Sequence, residues 1–99
     1  MVFDDKLKDQ ELDRLYAAVL ELKTVEECYR FFYDLCTIGE VRAMAQRFAV
    51  AEMLSEGKSY TDIALATGAS TATISRVKRF LDYGADGYRL VLERLKRQG

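Results

Sequence analysis

Between Asp62 and Asp82 the chain carries no acidic side chain, and into that interval it places Ser70, Thr71, Thr73 and Ser75, then Arg76, Lys78 and Arg79. Hydroxyls that give way to cations along one helix suit a polyanion. Arg and Lys neutralise phosphates, while hydroxyls and helix N-terminal amides bond phosphate oxygens. The methyls of Ala72 and Thr73 fit thymine methyl groups on the floor of a major groove. With Thr61 on the preceding helix, the candidate DNA-contacting residues are Thr61, Ser70, Thr71, Ala72, Thr73, Ser75, Arg76, Lys78 and Arg79. The plainer alternative is a helical hairpin with a solvated basic edge. Two helix-cap signals, a glycine at the turn and the missing acids together favour DNA. Catalytic chemistry finds no foothold: the chain has no histidine, no glycine-rich phosphate loop, no HExxH or CxxC and no nucleophile spaced from a base. An enzyme is not expected. Two cysteines, Cys28 and Cys36, cannot assemble a four-ligand zinc site without histidine, so they are expected as unpaired, buried thiols, with no metal and no cofactor.

The elements that must position these residues are legible around them. Ser59 is placed to cap a short helix, with Asp62 three positions on as a capping-box acid. Gly68 stands where the chain must reverse, a left-handed position that glycine takes without a steric penalty. Ser70 offers a second N-cap, and Ile74, Val77 and Leu81 form the inward stripe of the helix it opens. The spacing predicts a helix-turn-helix over about residues 59–83.

The rest of the chain gives this unit a setting. Its 99 residues suit a single domain spanning 1–99, and the absence of proline permits long helices, so the expected class is all-α. No apolar run approaches the roughly 18 residues of a membrane span, and the start of the chain lacks a signal-peptide pattern, so the expectation is a cytoplasmic protein with no membrane partner. The net charge of −1 conceals an asymmetry. Residues 1–40 hold ten acids and five bases, whereas residues 41–99 hold six acids and ten bases. A basic half can supply a phosphate footprint while an acidic half faces away or limits non-specific binding.

Lys6 to Leu22 reads as an amphipathic helix with Leu7, Leu12, Leu15, Tyr16, Val19 and Leu22 on one side. Thr24 and Glu27 form a capping-box pair opening a second helix through about Leu35, apolar on more than one face. Such a helix needs several neighbours, either in a monomeric bundle or from a second chain, and a homodimer is the expectation. Thr37 and Glu40 repeat the capping pattern before a helix that should run to about Glu56 and stop at Gly57, burying Val41, Met44, Ala45, Phe48, Ala51 and Leu54. Past the helix-turn-helix, Tyr83–Asp86 should end one helix and cap a last one, with Tyr88, Val91, Leu92 and Leu95 inward.

Several segments resemble the Trp-repressor-like DNA-binding proteins, most closely their YerC/YecD branch. They are Glu27 to Phe32, Leu35 to Thr37, Ala45 to Arg47 and Gly68 to Arg79, within a match over roughly residues 10–96. The resemblance implies a six-helix Trp-repressor-like subunit in an intertwined homodimer, whose two recognition helices enter successive major grooves about 34 Å apart on a palindromic operator. It also implies a sequence-specific DNA-binding transcriptional regulator that acts as a repressor on double-stranded DNA. The family's tryptophan-binding member sandwiches its co-repressor between two arginines, matched here by Arg47 and Arg76. Val77 stands where that member has glycine, and Phe80 where it has serine. These bulkier residues of the matched effector pocket imply a regulator that does not respond to tryptophan. Structural pairing of Arg47 and Arg76 with nearby carbonyls or acids is the alternative. The competing function is a helical interaction module that docks on a protein of the transcription machinery.

Overall fold

Five of the six described helices begin where a short polar side chain takes over an orphan amide. A computed structural model describes residues 8–98, which form α1 (Gln10–Val19), α2 (Val25–Leu35), α3 (Ile38–Ser55), α4 (Tyr60–Thr67), α5 (Thr71–Tyr83) and α6 (Gly87–Gln98). No strand occurs among the described residues, so the class is all-α as expected. The first cap differs from expectation. Asp9 accepts from the Leu12 amide at 2.8 Å and opens α1 only at Gln10, while Leu20 closes it, short of the Leu22 anticipated. Lys6 and Leu7, the anticipated start, lie outside the described residues. As N-cap, Asp9 holds an extended backbone at its own position, and that sets the start of α1.

The described chain divides into two compact units, one ending at Val41 and the other beginning at Arg42. The first holds α1 and α2. Thr24 Oγ1 accepts from the Glu27 amide at 3.1 Å, and Glu27 reaches back to the Lys23 amide at 2.8 Å, one residue earlier than a standard capping box. Neither helix buries a residue fully. Phe31 and Phe32 meet edge to face at 5.5 Å, while Tyr29 and Tyr33 are each about three-quarters exposed. The cysteines correct one expectation: both are unpaired, but Cys28 is exposed and Cys36 half-buried, because the described residues leave much of the surface of α2 uncovered.

At the junction, Thr37 and Glu40 complete a reciprocal capping box: the hydroxyl accepts from the Glu40 amide at 3.1 Å and the carboxylate accepts from the Thr37 amide at 2.8 Å. Hydrogen bonding to the carboxylate, first from the Thr37 backbone amide and then from the Thr37 side chain, holds the Glu40 carboxyl below the ordinary glutamate range. The second unit contains the core. Val50 and Ala51 of α3 pack with Ile63, Ala69, Ile74 and Val77, flanked by Met53, Leu54, Ala64 and Tyr88. The buried stripe of α3 therefore turns further than expected. Val50 is central, whereas Met44 and Ala45 are exposed. Small and large apolar residues lie all round α3, so period alone did not fix which face turns inward. The last helix departs in a similar way: Leu92 is buried and Tyr88 half-buried, but Val91 and Leu95 remain exposed. Asp86 precedes α6 with φ +65°, in the left-handed region, and its carbonyl accepts from the Leu90 amide at 3.0 Å. Among the described residues no helix is long and apolar enough to cross a membrane.

Candidate nucleic-acid interface

The pair α4 and α5 is built by its caps. Ser59 Oγ accepts from the Asp62 amide at 3.1 Å, the hydroxyl half of the anticipated box. Gly68 closes α4 with φ +73° and donates its amide to the Ala64 carbonyl at 2.9 Å. Ser70 caps α5 by accepting from the Thr73 amide at 3.1 Å, and its Oγ lies 3.2 Å from Thr73 Oγ1. The inward stripe is as anticipated, with Ile74, Val77 and Leu81 buried. Each such aliphatic side chain contributes about 1.5–3 kcal/mol, so α5 is held from behind while its other face stays open.

The residues singled out from the sequence lie on α5, at its cap Ser70 and, for Thr61, on α4. Thr61, Ser70, Thr71, Ala72, Ser75, Arg76, Lys78 and Arg79 are exposed, and Thr73 is half-buried beside Ser70. Their cations are not equivalent. Lys78 Nζ lies 3.0 Å from Asp82 Oδ2, and Arg89 of α6 lies 3.3 Å from Asp82 Oδ1 while donating to the Leu81 carbonyl at 2.9 Å. The hydrogen bond to Asp82, reinforced by its charge, raises the Lys78 pKa above the ordinary lysine value. The Arg79 guanidinium lies over the Phe80 ring, 5.4 Å from its centre, a cation–π contact. Arg76 is exposed and makes no hydrogen bond or ion pair with the described residues.

The sequence pattern assigned no role to Arg89 or Gln46 and marked Asp82 only as the end of the acid-free interval. Lys78 and Asp82 are four residues apart on one helix, a spacing that does signal an ion pair. Gln46, which donates to the Thr67 carbonyl at 3.1 Å, gave no local signal because its partner lies 21 residues away.

The residues matched to an effector pocket separate. Val77 is 1% exposed and belongs to the core, whereas Phe80 is 51% exposed. Phe80 forms one wall of an open, mainly apolar groove of about 520 Å³, lined also by Phe48, Ala85, Gly87, Tyr88 and Val91. Arg47 is exposed, and the pairing considered for it and for Arg76 is not made with any described residue.

This arrangement has close counterparts. The family model described as Trp repressor protein matches residues 10–96. The chain is 60% identical over 92 residues to the Bacillus subtilis (strain 168) protein YerC, whose function is uncharacterized, covering 93% of this chain and 88% of that one. Its fold superposes with a TM-score of 0.89 on the crystal structure of a TrpR like protein from Eubacterium eligens ATCC 27750, at 56% identity over 94% of this chain and 96% of that one. A Staphylococcus aureus structure agrees equally well, with a TM-score of 0.89, 47% identity and coverage of 97% and 96%. Capped helices around Gly68, a core built on Val50 and Ile74, and these matches along nearly the whole chain lead to one conclusion: the protein belongs to the Trp repressor family.

Proposed function

We propose that the protein is a sequence-specific, double-stranded-DNA-binding transcriptional regulator of the repressor type, acting as an intertwined homodimer on a palindromic operator. One observation carries this reading. The buried side of α5 is fixed in the core, while its outward side presents short hydroxyls and then Arg76, Lys78 and Arg79, with no acid before Asp82. Ser70, Thr71 and Ala72 are short enough to let the helix N-terminus approach a groove floor, and the cations beyond them reach phosphates. Family membership supports the same reading.

The second copy is supported by the unit that ends at Val41. Its two helices bury no residue fully, and Leu20, Val25, Tyr29 and Tyr33 are largely exposed, an apolar surface that water does not favour. Two subunits related by a two-fold axis present two copies of α5, which is what a palindromic site requires. Tryptophan is not the effector in this reading, because Val77 occupies the position that the ligand-binding relative leaves as glycine.

A mobility-shift experiment against genomic fragments tests the proposal. Wild-type protein should retain a fragment. Lys78→Ala and Arg79→Ala should weaken every duplex alike, whereas Thr73→Val should change the preferred sequence. Absence of any retained duplex at low salt would refute DNA binding.

A further inference from the structure

We infer that Gln46 is a positioning residue that sets the angle at which α5 meets DNA, an inference that rests on the proposed DNA-reading function. The end of an α-helix leaves carbonyls without intrahelical partners, and where they point decides how the chain leaves the helix. In α4 the Thr67 carbonyl is one of these, and Gln46 Nε2 of α3 donates to it at 3.1 Å in a partly buried setting. The Thr67 hydroxyl is folded back, donating to the Ile63 carbonyl at 2.7 Å and accepting from the Ala69 amide at 3.2 Å. Gly68 then turns left-handed, and Ser70 starts α5.

The bonds of Thr67 and Gly68 are local to α4 and its turn, so they shape the turn without orienting it against the rest of the core. The Gln46 bond comes from α3, which carries Val50 and Ala51 at the centre of that core. It ties the exit of α4 to a fixed reference only three residues before the cap of α5. Buried apolar contacts at Ile74 and Val77 hold α5 against the core but are non-directional. A hydrogen bond supplies the direction that such packing lacks.

The test combines a near-isosteric variant with a measurement on the unaltered protein. Gln46→Met keeps volume and helix propensity but removes the donor. Against the best duplex selected by wild-type protein from a random pool, its preference over a scrambled duplex should fall about tenfold, the equivalent of one net hydrogen bond. The salt dependence should be unchanged because no cation is altered. A residue that only packs would lower the melting temperature and leave the preference ratio intact. Independently of DNA, NMR should show the Gln46 side-chain amide protons exchanging more slowly than those of the exposed Gln10 and Gln98. Exchange as fast as at Gln10 and Gln98 would overturn the anchor. Slow exchange with an unchanged preference ratio in Gln46→Met would overturn its role in reading DNA. Slow exchange in a wild-type protein that binds no duplex would instead refute the DNA-reading function on which the role depends.

Discussion

Two glycines three residues apart should respond to alanine with opposite signs. Gly84 follows α5 and donates its amide to the Phe80 carbonyl at 2.9 Å. A Cβ built there would stand 2.3 Å from that carbonyl oxygen, 3.1 Å from its carbon and 3.2 Å from the Phe80 Cα. All three are backbone atoms, so no flexible side chain can yield. Bringing the oxygen to ordinary contact at 3.4 Å demands a shift of more than 1 Å, enough to break the hydrogen bond. Overpacking of this kind costs about 1–3 kcal/mol, and the lost bond adds about 1 kcal/mol. For a chain of this length the melting temperature of Gly84→Ala should therefore drop by roughly 10 °C or more. At Gly87, the first residue of α6, an added Cβ meets nothing within 4 Å. Alanine there gains helix propensity and reduces unfolded-state freedom, worth up to about 1 kcal/mol, so Gly87→Ala should melt a few degrees higher. Thermal melts followed by circular dichroism at matched protein concentration make the comparison, since the proposed association would make the midpoint concentration-dependent. A Gly84→Ala protein that melts at or above wild type would refute the reasoning.

Further outcomes follow from the same geometry. Glu40 has a depressed folded-state pKa, so its stabilising contribution is present above the unfolded value of 4.5 and is lost as pH falls through the lower folded value. The stability advantage of wild type over Glu40→Gln should shrink as an acid titration passes below that point, and an advantage that grows toward low pH would contradict the capping account. Calorimetry with tryptophan should give no binding heat at micromolar concentrations, and saturable heat would show that Val77 and Phe80 do not exclude the ligand. Light scattering should give twice the mass of one chain, and a monomer at micromolar concentration would remove the two-fold basis of a palindromic site.

What the sequence made legible follows the reach of the interactions involved. The caps at Thr24, Thr37, Ser59 and Ser70 join residues three apart, and each appears where the pattern placed it. Gly68 was legible for the same reason, since its conformation is a local demand. The stripe Ile74, Val77 and Leu81 was clear because polar residues occupy the opposite side of α5. Val50 was missed because α3 has apolar residues on several sides and tertiary packing chooses among them. Asp82 was read only as the end of an acid-free interval, yet it joins Lys78 to Arg89 across two helices. Cys28 and Cys36 were read as core because composition does not say which side of a helix is covered, and the first is exposed and the second half-buried.

The central claim, that the outward face of α5 grips the phosphates of a duplex, is tested most directly by titrating a retained DNA fragment across salt concentrations. Neutralised phosphates release counterions, so the logarithm of affinity should fall linearly with the logarithm of salt, by about 0.9 for each contact. Removing Arg76, Lys78 or Arg79 in turn should flatten that slope by about one contact per subunit, while the two copies in a dimer double the change. A slope that is shallow in wild type, or that none of the three substitutions alters, would contradict the account.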